Sequence, residues 1–173
     1  MTEKDLQIFC GPDDRAAIAH PWSEGEFTYA TTGKILVRVP RLPEVKESLL
    51  APQGMDKSIF EPIFSKALKL EAPSEFLRKQ VAALSNDTLC DQCKGTGRCS
   101  CRSCQADHDC GVCKGEGALP AKAKFFEKIF DITTLKAVLA LPELVWDVKT
   151  EPTKAAFKFK DGIGILAVKT EED

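Results

Sequence analysis

Seven of the chain's eight cysteines fall between Cys90 and Gly117, in CDQCKGTGRCSCRSCQADHDCGVCKGEG, and no other feature limits the fold so tightly. Glycine turns replace apolar periodicity along this stretch, which leaves it almost no hydrophobic core of its own. It must be cross-linked, by disulfides or by metal. The chain opens MTEKDLQIFCGPDD, without the basic region and apolar run of a secretory signal, and it has no run of about 18 apolar residues to cross a membrane. A cytoplasmic setting is expected, where glutathione keeps thiols reduced and clustered cysteines bind metal. The odd number of cysteines in the stretch points the same way.

Cys90-x-x-Cys93 and Cys110-x-x-Cys113 are matching knuckles, each continued by Lys-Gly-x-Gly. A C-x-x-C turn lets two thiolates reach one ion, and the glycines allow the positive φ angles that aim backbone amides at sulfur. Paired, the knuckles supply a tetrahedron of four thiolates, a zinc set. Between them lie Cys99, Cys101, Cys104 and His108, three sulfurs and a nitrogen that make a second complete set. Two zinc ions are therefore expected, the outer at Cys90, Cys93, Cys110 and Cys113 and the inner at Cys99, Cys101, Cys104 and His108. Crosswise pairing is an alternative, with Cys90, Cys93 and Cys99 or Cys101 at one ion and the later cysteines at the other. Four cysteines alone also admit an iron–sulfur cluster. Sites filled by protein ligands leave no position for water or substrate, which makes them structural. Apparent binding free energies on the order of 10 to 16 kcal/mol account for the folding of so core-poor a segment.

The repeats Cys90-Asp-Gln-Cys93-Lys-Gly95-Thr-Gly97 and Cys110-Gly-Val-Cys113-Lys-Gly115-Glu-Gly117 resemble the C-x-x-C-x-G-x-G repeat of the DnaJ-type cysteine-rich zinc domain. That family carries four repeats in a two-zinc β-ribbon hairpin, the first pairing with the fourth and the second with the third. The likeness covers residues 88–118, with the inner pair reduced to CSCRSC plus His108. It implies zinc-ribbon architecture. Chaperone companions are missing, since His20-Pro21-Trp22 is not the His-Pro-Asp signature of a J-domain and no Gly/Phe-rich linker occurs.

The flanks read as an α+β scaffold. Glu26 to Thr31 and Lys34 to Val39 are strand-like runs around Thr32-Gly33, a β-hairpin ended by Pro40. Ser58-Ile-Phe-Glu61 has capping-box form, and apolar residues from Ile59 to Leu68 follow at helical spacing. A second helix is expected over Ser74 to Leu84, and a third from Thr133 to Leu141, stopped by Pro142. Leu144 to Val148 reads as a strand, and Asp161-Gly162 between Ala155–Lys160 and Ile163–Lys169 is a strong hairpin signal. The expected fold is a mixed domain of two β-hairpins and two to three helices, formed by residues 1–87 and 118–173. The zinc-stapled β-ribbon of residues 88–117 interrupts it.

The two hairpins, FTYATTGKILVRV and FKFKDGIGILAVK, share an aromatic alternation, a glycine turn and an Ile-Leu pair. One amphipathic rule explains both, and internal duplication is the other explanation. Tyr29-Ala-Thr-Thr-Gly-Lys-Ile-Leu36 is similar to the A-T-D-G-x-x-L stretch of bacterial sliding-clamp domains, with Thr32 in place of Asp. FKFKDGIGILAVKT is similar to the clamp's last strand, departing from it at Ala167-Val-Lys-Thr170. Phage and prophage proteins that insert a cysteine-rich knuckle into a half-clamp scaffold fit this pairing. No clamp-loading or peptide-pocket residue is carried over.

Catalysis finds little support. The only imidazoles are His20 and His108, and neither a Ser/His/Asp arrangement nor a phosphate loop is present. Cys10, in a strand-like LQIFC run, reads as a small buried hydrophobe. Net charge is -2, and Lys94, Arg98, Arg102 and Lys114 are offset by Asp91, Asp107, Asp109 and Glu116, with no interleaved aromatic platform for nucleic acid. The expectation is a non-enzymatic zinc protein that uses the ribbon to contact a protein partner. Nucleic-acid-binding or replication-accessory, chaperone-like and redox-responsive roles are the alternatives, and oligomeric state is not encoded in any motif.

Overall fold

The computed structural model describes residues 1–11, 18–47, 60–64, 66, 68–100 and 106–170. Its frame is a six-stranded antiparallel sheet in the order β1-β2-β3-β12-β11-β10, built from Trp22–Glu24, Phe27–Thr31, Ile35–Pro40, Gly162–Ala167, Lys154–Phe159 and Val145–Asp147. The two ends of the chain meet at its centre, where β3 pairs with β12 and Leu36 lies opposite Ile165. The connectivity is mirrored about that seam. Helix α1 (Glu3–Gln7) precedes the meander β1-β2-β3, as α4 (Ile132–Leu139) precedes β10-β11-β12.

Alternation along the strands separates two apolar faces. Ala30, Val37, Val39, Phe157 and Leu166 face the helices, packing with Leu6 of α1, Leu77 and Val81 of α3 (Glu75–Ala83) and Leu135 and Val138 of α4. Trp22, Tyr29, Leu36, Ala156 and Ile165 point the other way and pack with Ile63 of α2 (Phe60–Phe64). Trp22 and Tyr29, partners in register, stack with ring centroids 5.6 Å apart.

Helix starts follow local chemistry. Thr2 and Asp5 form a capping box on α1, Ser74 accepts from the Leu77 amide of α3, and Asp131 accepts from the Thr134 amide of α4. The other Asp131 oxygen takes Lys34 Nζ at 2.9 Å, tying the first hairpin's turn to the start of α4. Four helices are present among the described residues rather than two to three, because α1 occupies part of the run read as strand-like. Leu6 and Gln7 are helical, and Ile8 and Phe9 form a turn. Ser58 and Ile59 lie outside the described residues, and α2 extends only to Phe64.

Asp147 and Lys128 are buried polar groups that organise loops. Asp147 accepts from the amides of Lys69, Lys149 and Thr150 and from the Thr150 hydroxyl. Lys128, in β9 (Lys128–Asp131), donates to the carbonyls of Glu151, Pro152 and Lys154. Among the described residues, each outer strand of the sheet is met by one bridge. Ser23 pairs with Glu47, and Trp146 exchanges two hydrogen bonds with Glu71 at 2.9 Å each.

Between α3 and β8 (Lys122–Phe125) the chain leaves the sheet. Strands β4 (Asp87–Leu89) and β7 (Ala118–Pro120) pair as a stem, with Asp87 opposite Pro120, and the Ala121 amide donates to the Asn86 carbonyl at 2.8 Å. A second ribbon, β5 (Arg98–Ser100) with β6 (Asp107–Asp109), lies beyond the knuckles.

Candidate metal centre

The knuckles sit between the two ribbons and repeat one another residue by residue. Lys94 and Lys114 both adopt φ of 54°, Gly95 and Gly115 adopt 86° and 89°, and Gly97 and Gly117 adopt 74° and 77°. The Cys90 amide donates to the Gly117 carbonyl at 2.9 Å, and the Cys110 amide to the Gly97 carbonyl at 2.8 Å. These reciprocal bonds relate the knuckles by a local two-fold. The left-handed lysines extend the sequence reading, which assigned positive φ to the glycines alone.

This backbone brings four sulfurs together. The Sγ atoms of Cys90, Cys93, Cys110 and Cys113 all lie within 4.8 Å of one another, and all four residues are buried. Across the two-fold, Cys90 Sγ is 3.8 Å from Cys110 Sγ, and Cys93 Sγ is 3.7 Å from Cys113 Sγ. A tetrahedron with Zn–S bonds of about 2.3 Å has sulfur–sulfur edges of about 3.8 Å. The four sulfurs thus have the spacing to hold one metal ion.

Amides complete the surroundings of the sulfurs. Gly97 donates to Cys93 Sγ at 3.3 Å and Gly117 to Cys113 Sγ at 3.2 Å, the contacts expected from the Lys-Gly-x-Gly continuation. Thiols this close resist ionising together without a cation among them, and three of the four diverge. The Cys113 amide draws Cys110 down to about 6, while burial pushes Cys113 up to about 11. Burial works against ionisation of Cys93, but the Gly97 amide and the Cys113 thiol outweigh it and hold Cys93 below the usual thiol range. A divalent ion would favour the thiolate at all four.

The grouping follows the nested pairing and not the crosswise one: Cys90 and Cys93 join Cys110 and Cys113. Of the expected inner set, Cys99 and His108 face one another as cross-strand partners of β5 and β6. Cys101 and Cys104 lie outside the described residues. Cys99 is half-buried and packs with Leu119 against the four-cysteine cluster. Its thiol is raised by burial, and the neighbouring Cys110 sulfur adds to the rise. Elsewhere, Cys10 packs against the main core with its thiol pushed up to about 11 by burial, and His20 is exposed in a bend. No helix among the described residues is long and apolar enough to cross a membrane.

Compared with family models, curated proteins and solved structures, the chain matches none. Fold and site together define an α+β protein with a candidate four-cysteine metal centre.

Proposed function

We propose that the chain is a zinc-binding, non-enzymatic protein of the cytoplasm whose stapled ribbon serves macromolecular contact. The observation that carries this reading is the four-sulfur group, with edges of 3.7 and 3.8 Å matching a zinc tetrahedron. Zinc there is a structural staple, because four thiolates leave it no open coordination position for catalysis. The finer part of the proposal is a second zinc at Cys99, Cys101, Cys104 and His108, and the placement of Cys99 opposite His108 supports it. Zinc analysis tests both parts: two ions per chain falling to one in His108→Ala upholds the inner site, and one ion unchanged by that substitution removes it.

A protein partner is favoured because acidic residues offset the ribbon's basic ones and no aromatic side chain lies among them. Pull-down with the intact chain and with residues 88–118 deleted is the deciding comparison. A partner lost on deletion places the function in the ribbon, and a partner retained moves it to the scaffold. The mirrored helix-and-three-strand halves favour a second reading, a phage or prophage replication-accessory protein with a clamp-like scaffold. A salt-dependent gel shift at low micromolar protein would carry that reading over the first.

A further inference from the structure

The turn of the β8–β9 hairpin is strained where it is also exposed. Phe126 and Glu127 adopt φ of 53° and 63°, left-handed positions that favour Asn and Gly and cost any other residue free energy. Phe126 is nonetheless 49% exposed, with its ring centroid 6.1 Å from that of Trp146 and the two planes at 86°. A half-exposed ring gains little from burial to offset the strain, and strain held at such a place marks a functional surface.

Two cavities adjoin this ring, one of about 170 Å³ and one of about 390 Å³, and Phe126, Val148 and Lys149 line both. The segment that brings Lys149 there is fixed at both ends. Asp147 holds the amides of Lys149 and Thr150, and Lys128 holds the carbonyls of Glu151 and Pro152. The cleft is therefore preformed, and a ligand does not have to order it. Asp147 and Lys128 also line it, but their charges are met by the loop's own amides and carbonyls. The outward polar groups are of two kinds, ammoniums from Lys69 and Lys149 and carboxylates from Glu71 and Glu127. Lys149 and Glu71 lie 3.8 Å apart with side chains 62% and 66% exposed, a weak ion pair that opens readily to a ligand.

We propose that this cleft binds a nucleoside phosphate, with the base against Phe126, the phosphate on Lys149 and Lys69, and a carboxylate of Glu71 or Glu127 accepting from a sugar hydroxyl. A nucleotide uses all three chemistries together. An acidic peptide would be repelled by the two glutamates, and a simple anion would leave the strained aromatic without a role. The larger cavity falls within the range of roughly 300 to 1,000 Å³ usual for small-ligand sites. None of the lining residues belongs to the ribbon, so the site holds whether or not the metal reading does. A free nucleotide and a nucleotide within a single strand present the same chemistry to it.

Calorimetric titration of the full chain at low salt, with AMP, UMP and octauridylate as separate probes, tests the site. Saturable binding of AMP or UMP assigns a free nucleotide, and binding of the octamer alone assigns a nucleotide held in a strand. In either case Phe126→Asn should weaken binding about tenfold or more through loss of stacking. Its thermal unfolding should still show an intact fold, since asparagine suits the left-handed position. Lys149→Gln should weaken binding and lessen its dependence on salt. Amide shifts on the native chain should move around Phe126, Trp146 and Lys149 as probe is added, a readout that needs no variant to fold. No binding of any probe at millimolar concentration, binding that neither substitution weakens, or shifts confined to other parts of the chain would each overturn the assignment.

Discussion

Gly97 lies so close to Gly115, and Gly117 to Gly95 by the same local two-fold, that neither Gly97 nor Gly117 tolerates a side chain. A Cβ on Gly97 would sit 2.1 Å from the Gly115 carbonyl oxygen, and one on Gly117 would sit 2.3 Å from that of Gly95. Both obstacles are backbone, and both glycines also donate to a cysteine sulfur. Gly97→Ala or Gly117→Ala should each abolish tight metal uptake while the sheet stays folded, as read by cobalt titration and circular dichroism. Gly33→Ala is the control: at φ of 86° with open space around it, it should cost about 1 to 2 kcal/mol and leave metal uptake unchanged.

Metal removal should act on one part of the chain. Trp22 and Trp146 both belong to the sheet, so their fluorescence reports the scaffold and not the ribbon. A strong chelator should leave that emission nearly unchanged while amide exchange accelerates across residues 87–120. Loss of both signals together would mean that the scaffold depends on the ion.

Asp147 predicts how stability responds to acid. Burial acts to raise its carboxyl, but the Thr150 hydroxyl and amide, with the Lys149 and Lys69 amides, outweigh burial and hold it at about 2. An unfolded aspartate titrates near about 3.9, so this stabilisation is full above that value and is lost as pH falls toward about 2. Urea midpoints should decline over that window, and Asp147→Asn should flatten the decline. Asp147→Ala, which strands three loop amides, should cost about 2 to 4 kcal/mol at neutral pH.

Gly164 is held to glycine by packing. A Cβ there would lie 2.1 Å from Cζ of Phe157, its cross-strand partner and a fully buried core ring. Gly164→Ala should destabilise the fold by about 1 to 3 kcal/mol through overpacking. The paired change Gly164→Ala with Phe157→Leu should recover part of the loss in thermal unfolding.

Much of this arrangement is legible in the residues. Asp161-Gly162 and Thr32-Gly33 mark the two hairpins, and Ser74 and Pro142 bracket helices that appear within two residues of their expected bounds. The paired C-x-x-C-Lys-Gly-x-Gly repeats foretell the four-sulfur group because spacing and backbone freedom are both local. The hairpin of β8 and β9 was not legible: Phe126 and Glu127 fill its turn at φ of 53° and 63°, where sequence rules look for Asn-Gly. Helix α1 escaped because five residues are too few for periodicity, and it is fixed by the Thr2–Asp5 box and by packing of Leu6. The seam of β3 with β12 and the packing of Cys99 against the four-cysteine cluster are tertiary facts that no local pattern records.

Single bridges at Ser23–Glu47 and Glu71–Trp146 bear on how the chain behaves in a crowd. An open strand edge is a template for edge-to-edge aggregation, and these edges are three residues long with a bridge at the middle residue of each. With both flanks of the sheet occupied in this way, crowded molecules lose the simplest route to runaway stacking.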